Sequence, residues 1–471
     1  MFFSMALIPP AAVSFFFNDK EIETFLLPAL LLMGTGFFLW FPQRKKSATL
    51  RTHDGFLIVT LFWVVLGLAA ALPFWVANTL DVDLADSVFE AVSGLTTTGS
   101  TVFSGLDYFA PSILFYRQEL HFLGGMGVIL LAVAILPMLG VGGMQLFRAE
   151  ATGPVKDTKL TPRIAETAKA LWLIYLSLNL SCFLSFWIAG MPSFDALLFA
   201  MGTVATGGLA PHDKSLGFYD SPIIHLVTMV FMFLGAVNFS LHYSVMKHKK
   251  LTLFWRDPEF KAFCWIVGLS SLFVFAMIFN RYPMHLEGQA TALLDSAFQV
   301  ISFISTTGYS TADYLHWPSV VPIFLLLIAI LGGCAGSTSG GIKTVRFILL
   351  CKQGIRELRR LVHPAGHFLI KLGEHRLPER VIESVWGFLP MFLMVYLVSL
   401  IALMVCGVSF VTAFSAAAAC ISNSGPALGD AARNFQPLPD AAKWILSLLM
   451  IVGRLEIFTI LVLLSGFFWR K

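Results

Sequence analysis

The sequence predicts an all-α polytopic membrane protein that contains one unit repeated four times. Three observations support this prediction: the composition, the spacing of the apolar segments, and the recurrence of one short polar segment between them. Of 471 residues, 57% are hydrophobic and 13% are charged, and the mean hydropathy is +0.78. No polar stretch long enough for a water-soluble domain separates the apolar segments, so the bilayer is the expected solvent.

Ten apolar segments come close to the length of about 20 residues that a helix needs to cross a bilayer. The first is short and contains Pro9 and Pro10. It lacks the basic leader and small-residue cleavage site of a signal peptide, so we predict that it is a span. The ten segments lie near residues 2–18, 24–41, 56–77, 119–139, 170–189, 222–245, 262–280, 319–350, 384–407 and 442–468.

The loops between these segments differ in charge. Lysine and arginine follow the second, fourth, sixth and eighth spans, whereas the alternate loops are acidic or mixed. Because basic loops stay in the cytoplasm, both termini are expected there. The net charge of +4 therefore indicates orientation beside lipid headgroups, and nucleic acid is not an expected partner.

The cysteines indicate neither a metal site nor a disulfide framework. Most lie inside apolar segments, and no pair has the spacing of metal ligands. We interpret them as small packing residues. They are Cys182, Cys264, Cys334, Cys351, Cys406 and Cys420.

One polar segment, in which a hydroxyl residue precedes a glycine, recurs four times between the spans. The copies are LTTTGST at 95–101, VATGGLA at 204–210, STTGYST at 305–311 and SNSGPAL at 422–428. Their glycines, at positions 99, 207, 308 and 425, are 108, 101 and 117 residues apart. This regularity indicates one unit repeated four times.

The run before each copy is too short to cross a bilayer, and we predict that it forms a re-entrant half-helix. The four runs are Asp86 to Leu95, Asp195 to Val204, Asp295 to Ser305 and Thr412 to Ile421. Aspartate or threonine at the start of each run suits a helix N-terminus. The opposite ends, with their free carbonyl groups, would converge on a common axis and attract a cation.

Non-helical backbone at membrane depth is tolerated where it lines a polar cavity. Glycine lets successive carbonyls turn toward one axis, and threonine or serine adds a hydroxyl oxygen without bulk. Such oxygens can replace the water shell of a weakly hydrated monovalent cation. The alternative is that the small polar residues only pack helices together, but four copies in the same order favour the cation.

Seven segments together resemble the Trk/Ktr/HKT superfamily of potassium transport proteins, and within it the TrkH branch. They are the four polar segments, HFLGGMGVILL at 121–131, GGCAGSTSGGIKT at 332–344 and GRLEIFT at 453–459. The resemblance covers nearly the whole chain. It implies four helix–pore loop–helix repeats with pseudo-fourfold symmetry, preceded by two N-terminal transmembrane helices.

The resemblance also implies an ion filter, in which glycine in every segment accompanies potassium preference and serine in the first accompanies sodium permeation. Gly99 therefore indicates potassium. Asn423 and Pro426 depart from the repeat, so we expect fourfold symmetry in outline only and weaker discrimination than in a symmetric tetramer. The ion-facing carbonyls would belong to Thr97, Thr98, Gly99, Ala205, Thr206, Gly207, Thr306, Thr307, Gly308, Asn423, Ser424 and Gly425.

Five glycines interrupt the eighth span within residues 332–341. Because glycine destabilises a helix by about 1 kcal/mol relative to alanine, we expect a loop there. The spacing of GSTSGGIKT does not fit a phosphate-binding Walker motif. By resemblance, this loop is an intramembrane gate, formed by Gly332, Gly333, Gly336, Ser337, Thr338, Gly340, Gly341 and Lys343.

Arg454 lies inside the last apolar span, where a charge needs polar partners. The resemblance implies that it steadies the gate, and carbonyls or hydroxyls of the 332–341 loop are the candidate partners. The alternative is that the side chain reaches the cytoplasmic interface.

Partners follow from the resemblance alone. It implies a homodimer in the bacterial inner membrane and a cytosolic ring of TrkA-type regulatory subunits that would bind ATP, ADP or NADH. The chain itself is expected to carry no covalently bound cofactor, and K⁺ at the filter is the only metal ion expected. The basic stretch 343–380 is the expected docking surface, and its histidines are interpreted as solvated rather than as metal ligands.

Two other functions are alternatives to a channel-like pore. A proton- or sodium-coupled potassium symporter, the retained alternative, would need a chain of buried carboxylates or histidines, which the sequence does not show. A hydrolase would need a nucleophile motif, and neither HExxH nor GxSxG occurs, so no enzyme activity is expected.

The repeat defines the expected domain organisation. Residues 1–50 hold the two N-terminal helices, and 51–147 and 148–250 form the first and second repeats. Residues 251–352 form the third repeat with its broken helix, 353–382 a cytoplasmic linker, and 383–471 the fourth repeat.

Overall fold

The computed structural model describes residues 1–44, 52–77, 79–130 and 160–469. These residues are mainly helical, as predicted, with a hairpin of β1 (Lys371–Leu372) and β2 (His375–Arg376). Residues 131–139 of the predicted fourth span lie outside the described ranges. The helices α1 to α19, in chain order, are Ile8–Phe17, Ile22–Trp40, Thr52–Val76, Leu84–Leu95, Pro111–Leu130, Leu160–Ile188, Ser193–Val204, Pro222–Ala236, Phe239–His248, Thr252–Arg256, Pro258–Ile278, Leu286–Ile304, Val320–Leu331, Thr344–Val362, Glu379–Val405, Phe410–Ser422, Asp440–Arg454, Phe458–Leu464 and Gly466–Trp469.

Five helices in the described ranges, α2, α3, α6, α11 and α15, are long and apolar enough to cross a membrane. The pairs α8/α9 and α17/α18 pass the same test but bend by 97° and 113°. The predicted spans 222–245 and 442–468 are therefore not continuous helices, and that part of the prediction was wrong. The extended backbone of Val237 ends α8, and Glu456 and Ile457, with φ of +57° and +56°, follow the end of α17.

Four helices, α4, α7, α12 and α16, end just before the recurring polar segments. Three of them match the predicted half-helices closely, but α12 begins at Leu286. Asp295 therefore lies inside α12, and the prediction that it starts the helix was wrong. It accepts a hydrogen bond from the hydroxyl of Tyr282 at 2.7 Å. Asp83, rather than Asp86, caps α4 by accepting from the Asp86 amide at 2.8 Å.

The half-helices take part in a closed ring of contacts between helices. Each packs against the helices that precede and follow it, as α4 does against α3 and α5. Contacts between repeats join α5 to α7, α8 to α12, α13 to α16 and α17 to α4. The last of these joins the fourth repeat to the first, so the four copies close a circle.

The predicted interruption of the eighth span is present between α13 and α14. Residues 332–343 contain neither helix nor strand. Gly332, Gly336 and Gly341 have φ of +71°, +70° and +74°, a region that side chains disfavour, so glycine is needed at these turns. The end of α14 and the hairpin occupy much of the predicted linker 353–382.

Candidate functional site

The four polar segments share one backbone conformation. A residue with φ between +51° and +57° opens each turn, and a glycine with φ between +81° and +87° follows two positions later. The pairs are Thr97 and Gly99, Thr206 and Gly208, Thr306 and Gly308, and Asn423 and Gly425. Positive φ is rare for threonine and costs energy. Its recurrence indicates a conformation that the surrounding fold imposes.

Backbone hydrogen bonds fix the register of the segments. In each, the residue after the left-handed position donates its N–H to the carbonyl five residues earlier. The donor–acceptor pairs are Thr98 with Ser93 (2.9 Å), Gly207 with Gly202 (2.8 Å), Thr307 with Ser302 (2.9 Å) and Ser424 with Ala419 (2.9 Å). Gly207 therefore corresponds to Thr98, and Gly208 corresponds to Gly99.

This register corrects the alignment of the second segment. The sequence-based set Ala205, Thr206 and Gly207 is one residue too early, and the structural equivalents are Thr206, Gly207 and Gly208. Ala205 instead caps the end of α7. Two adjacent glycines made the sequence ambiguous, and matching a hydroxyl residue to the next glycine selected the wrong one. The doubled glycine was the signal that could have revealed Gly208.

The segments contact one another in a closed circle. A Cβ atom added to any of the four left-handed glycines would come within 2.7 Å of a carbonyl oxygen in the neighbouring segment. The glycine–carbonyl pairs are Gly99 with Gly207, Gly208 with Thr307, Gly308 with Ser424, and Gly425 with Thr98. These glycines are required both by their φ angles and by the approach of the adjacent backbone. The structure thus brings the predicted residues of all four segments together.

Behind three of the segments lies a pair of hydroxyl groups. Oγ1 of Thr96 and Thr98 are 2.7 Å apart. The corresponding pairs, at 2.7 and 3.1 Å, are Ser305 with Thr307 and Ser422 with Ser424. In addition, Nδ2 of Asn423 donates to Oγ1 of Thr98 at 2.9 Å, so the fourth segment is tied to the first.

A cavity of about 850 Å³ borders the circle and includes all four left-handed glycines in its lining. Arg117, which also lines it, is fully buried and pairs with the buried carboxylate of Glu90 at 2.8 Å. The Arg117 guanidinium donates to the Ala210 carbonyl at 2.9 Å, and Glu90 accepts from the Val102 amide at 3.0 Å. This buried ion pair therefore connects the residue that follows the first segment to the last residue of the second.

His212 connects two loops at the edge of this cavity. Nδ1 contacts the carboxylate of Asp107, Nε2 lies 3.2 Å from that of Asp195, and the ring stacks on Phe218 at 3.7 Å. A neutral imidazole has one donor nitrogen, so only the protonated ring donates to both acids. Burial lowers the pKa of His212, but the hydrogen bonds and charges of Asp195 and Asp107 outweigh burial and raise it above its ordinary value.

The 332–343 loop contacts the ends of three half-helices. The Gly340 amide donates to Oγ1 of Thr306 at 2.7 Å, and the Gly341 amide donates to the Ser422 carbonyl at 2.9 Å. Oγ1 of Thr338 donates to the Val204 carbonyl at 3.1 Å. The loop therefore lies against the polar segments, on the side where the half-helices end.

A buried carboxylate holds both ends of this loop. One oxygen of Glu259, near the start of α11, accepts from the amides of Ala335 at 2.8 Å and Val345 at 3.0 Å. Val345 belongs to the first turn of α14, where free amides favour a negative charge. Glu259 is not among the residues predicted from the sequence. An acid at the boundary of an apolar span was the available signal.

Two buried cations accompany the loop. Arg454, 5% exposed, donates to the Thr338 carbonyl at 2.9 Å, so it does not extend to an interface as the alternative required. Lys343 donates to the Ser339 carbonyl. Both cations line a cavity of about 40 Å³ together with Gly340 and other loop residues. Gly332 and Gly333 lie at the start of the loop, where the Gly333 amide donates to Oγ of Ser339 at 3.2 Å.

Similar proteins match the chain over its whole length. The TrkH family model, described as a cation transport protein, matches residues 24–471. Two proteins named Trk system potassium uptake protein TrkH, from Vibrio parahaemolyticus and Escherichia coli, are 47% and 46% identical to it. Both alignments cover 100% of this chain and 97% of the relative. The crystal structure of the potassium transporter TrkH from Vibrio parahaemolyticus, 44% identical, matches with a TM-score of 0.92, covering 100% of this chain and 97% of the other.

Proposed function

The chain belongs to the TrkH family of cation transport proteins, and we propose that it takes up potassium through a channel-like pore lined by the four polar segments. The observation that carries this proposal is the closed circle in which each left-handed glycine meets a carbonyl of the next segment. Its relatives are named as potassium uptake proteins rather than enzymes, in agreement with the prediction that the chain is not an enzyme.

The proposed filter consists of twelve residues, with the second segment in its corrected register. Carbonyl oxygens replace the water shell of K⁺, and the C-terminal ends of α4, α7, α12 and α16 add partial negative charge. Asn423 replaces threonine in the fourth segment, which supports a filter that is fourfold in outline only. The filter residues are Thr97, Thr98, Gly99, Thr206, Gly207, Gly208, Thr306, Thr307, Gly308, Asn423, Ser424 and Gly425.

The 332–343 loop is the proposed gate, and Arg454 and Lys343 are its positive barrier. Two cationic side chains beside the ends of the half-helices oppose the entry of another cation. The contacts of Thr338, Gly340 and Gly341 with the half-helices support a closed position against the filter. Movement of the loop, together with the withdrawal of Arg454 from Thr338, would open the path.

The remaining proposals concern assembly. The protein lies in the bacterial inner membrane with both termini in the cytoplasm, and it forms a homodimer. A TrkA-type ring that binds ATP, ADP or NADH docks on the basic end of α14, which carries Arg359 and Arg360. Co-purification with such a ring, compared between native protein and a variant with both arginines changed to glutamate, tests the docking surface. Equal recovery of the ring would contradict it.

Flux through purified protein in liposomes tests the proposed function. A potassium gradient should drive uptake of rubidium tracer, and external K⁺ should compete with the tracer better than Na⁺ does. The same assay at a fixed membrane potential, with and without an imposed proton gradient, separates a channel from a symporter, because only a symporter accumulates K⁺ against its electrochemical gradient. Equal competition by Na⁺ would contradict the potassium filter, and gradient-driven accumulation would favour coupled symport.

A further inference from the structure

The second segment lacks the hydroxyl pair found behind the other three. Its residues at the equivalent positions are Ala205 and Gly207, neither of which has a side-chain oxygen. A Cβ atom on Gly207 would overlap Cγ and Nδ1 of His121 and would lie 2.7 Å from Cδ2. The imidazole ring therefore occupies the space that a hydroxyl side chain fills in the other segments.

His121 belongs to a face of α5 that supports the second segment from Ala205 to Ala210. Arg117 donates to the Ala210 carbonyl at 2.9 Å, and Gln118 donates to the Leu209 carbonyl at 2.7 Å. One turn further along α5, His121 lies behind Gly207, and after another turn Gly125 packs against Ala205. Residues four apart share a helix face, so α5 runs along the back of the segment.

The histidine differs from the residues at the equivalent position of the second and fourth repeats. Gly124, Gly235 and Gly453 each pack against the carbonyl of the last or next-to-last residue of the preceding half-helix. Three positions before these glycines stand His121, Met232 and Met450. The first repeat thus has an imidazole ring at this position. Its helix α5 supports the second segment, which lacks the hydroxyl pair.

We propose that His121 is a positioning residue for ion selectivity, acting as a wedge that holds Gly207 in the filter. The Gly207 carbonyl is the group that Gly99 approaches across the boundary between the first two segments. Packing behind Gly207 consequently sets the spacing between those segments. His121 touches no ion and acts only through Gly207, and this inference rests on the proposed potassium filter.

The test removes side-chain volume at residue 121 and adds it at residue 207, in full-length protein reconstituted in liposomes. His121→Ala leaves a void, and the preference for K⁺ over Na⁺ should fall about tenfold, which corresponds to 1.4 kcal/mol. Gly207→Ser alone overlaps the imidazole and should reduce K⁺ flux strongly. The double variant restores a hydroxyl and removes the ring, so its selectivity should recover to within about threefold of native.

His121→Met, which keeps side-chain volume and matches Met232 and Met450 of the second and fourth repeats, should retain native selectivity. His225→Ala is the matched control, because His225 is also buried in a helix that follows a half-helix but bonds to the Tyr219 carbonyl at 2.9 Å. It should leave the ion ratio unchanged. Native selectivity in His121→Ala, or additive losses of selectivity in the double variant, would contradict the proposed role of His121. Absence of potassium selectivity in the native protein would instead overturn the proposed filter.

Discussion

The filter segments and the 332–343 loop lie next to each other but are held in different ways. The segment of the proposed filter is present in four copies, and the contacts between copies are backbone against backbone, with no room for a Cβ atom at the left-handed glycines. The loop is present once. Besides backbone bonds such as that of the Gly341 amide to the Ser422 carbonyl, its amides donate to the side chains of Thr306 and Glu259, and its Thr338 carbonyl accepts from Arg454. The four segments are thus joined by equivalent contacts that close a circle, whereas the loop combines backbone hydrogen bonds with side-chain anchors that single substitutions remove.

The energies of these contacts support that contrast. A single hydrogen bond contributes a net stability of about 0.5 to 1.5 kcal/mol, somewhat more when one partner is charged. Loss of one side-chain anchor therefore changes the stability of the loop's position by an amount similar to the effect of a regulatory ligand, which shifts an equilibrium by its difference in affinity for the two states. Relief of a steric overlap with neighbouring backbone costs more free energy than the loss of one hydrogen bond. Variants in the filter should destroy conduction, and variants in the loop anchors should increase it.

The largest effect is expected for Gly208→Ala. Alanine at a φ of +87° would be strained and would overlap the Thr307 carbonyl, so rubidium flux should fall by about 100-fold or more. The control is Gly354→Ala in α14, where an added Cβ meets nothing within 4 Å.

The same variant also tests the corrected register. His121→Ala should not rescue Gly208→Ala, because the obstruction at residue 208 is backbone rather than the imidazole. Rescue would show that Gly208 does not occupy the position of Gly99.

Arg454→Ala should have the next largest effect, in the opposite direction. Loss of the charge and of the bond to the Thr338 carbonyl removes both the barrier and one anchor of the loop, so flux should rise about tenfold. Arg433→Ala, which removes a charge from the lining of the larger cavity, is the control. A double-mutant cycle with deletion of residues 336–340 measures the coupling. Additive effects on flux would remove the proposed link between Arg454 and the loop.

Glu259→Gln should raise flux about threefold, because a neutral amide holds the Ala335 and Val345 amides less strongly than a carboxylate does. Selectivity should stay native, since Glu259 contacts the loop and not the filter. Asp257→Asn is the matched control at the N-cap of the same helix, where Asp257 accepts from the Phe260 amide at 2.6 Å. Reduced flux with altered selectivity in Glu259→Gln would place Glu259 in the filter instead.

The smallest effect is the dependence of stability on pH that arises from the loops around His212. Because its neighbouring carboxylates raise the pKa of His212 despite burial, protonated His212 stabilises the folded protein below its ordinary pKa. That contribution is lost as pH rises through the raised value. The melting temperature in detergent should therefore fall by about 1 to 3 °C on going from pH 6 to pH 9.

His212→Asn should abolish this part of the pH dependence. His316→Asn is the control, because the ion pair of His316 with Asp313 is largely exposed. An unchanged pH profile in His212→Asn would show that the bridge to Asp107 and Asp195 does not stabilise the loops.

Sequence reasoning predicted the repeated part of the molecule better than the unique part. Composition and four hydroxyl–glycine segments were enough to predict an α-helical membrane fold, because each copy constrained the others. The prediction for the second segment was wrong by one residue, because the sequence pattern does not distinguish Gly207 from Gly208. Their φ angles show which of them matches Gly99. Glu259 and His121 act across long sequence separations, so no local pattern could assign their contacts. The bend after Arg454 depends on the strained residues Glu456 and Ile457, which carry no helix-breaking signal.

The most direct test of the central claim is anomalous diffraction from crystals of the protein grown in rubidium. Rb⁺ density is expected on the axis of the circle, coordinated by carbonyl oxygens of Thr98, Gly207, Thr307 and Ser424. Rubidium bound elsewhere, with no density inside the circle, would contradict a filter formed by the four segments.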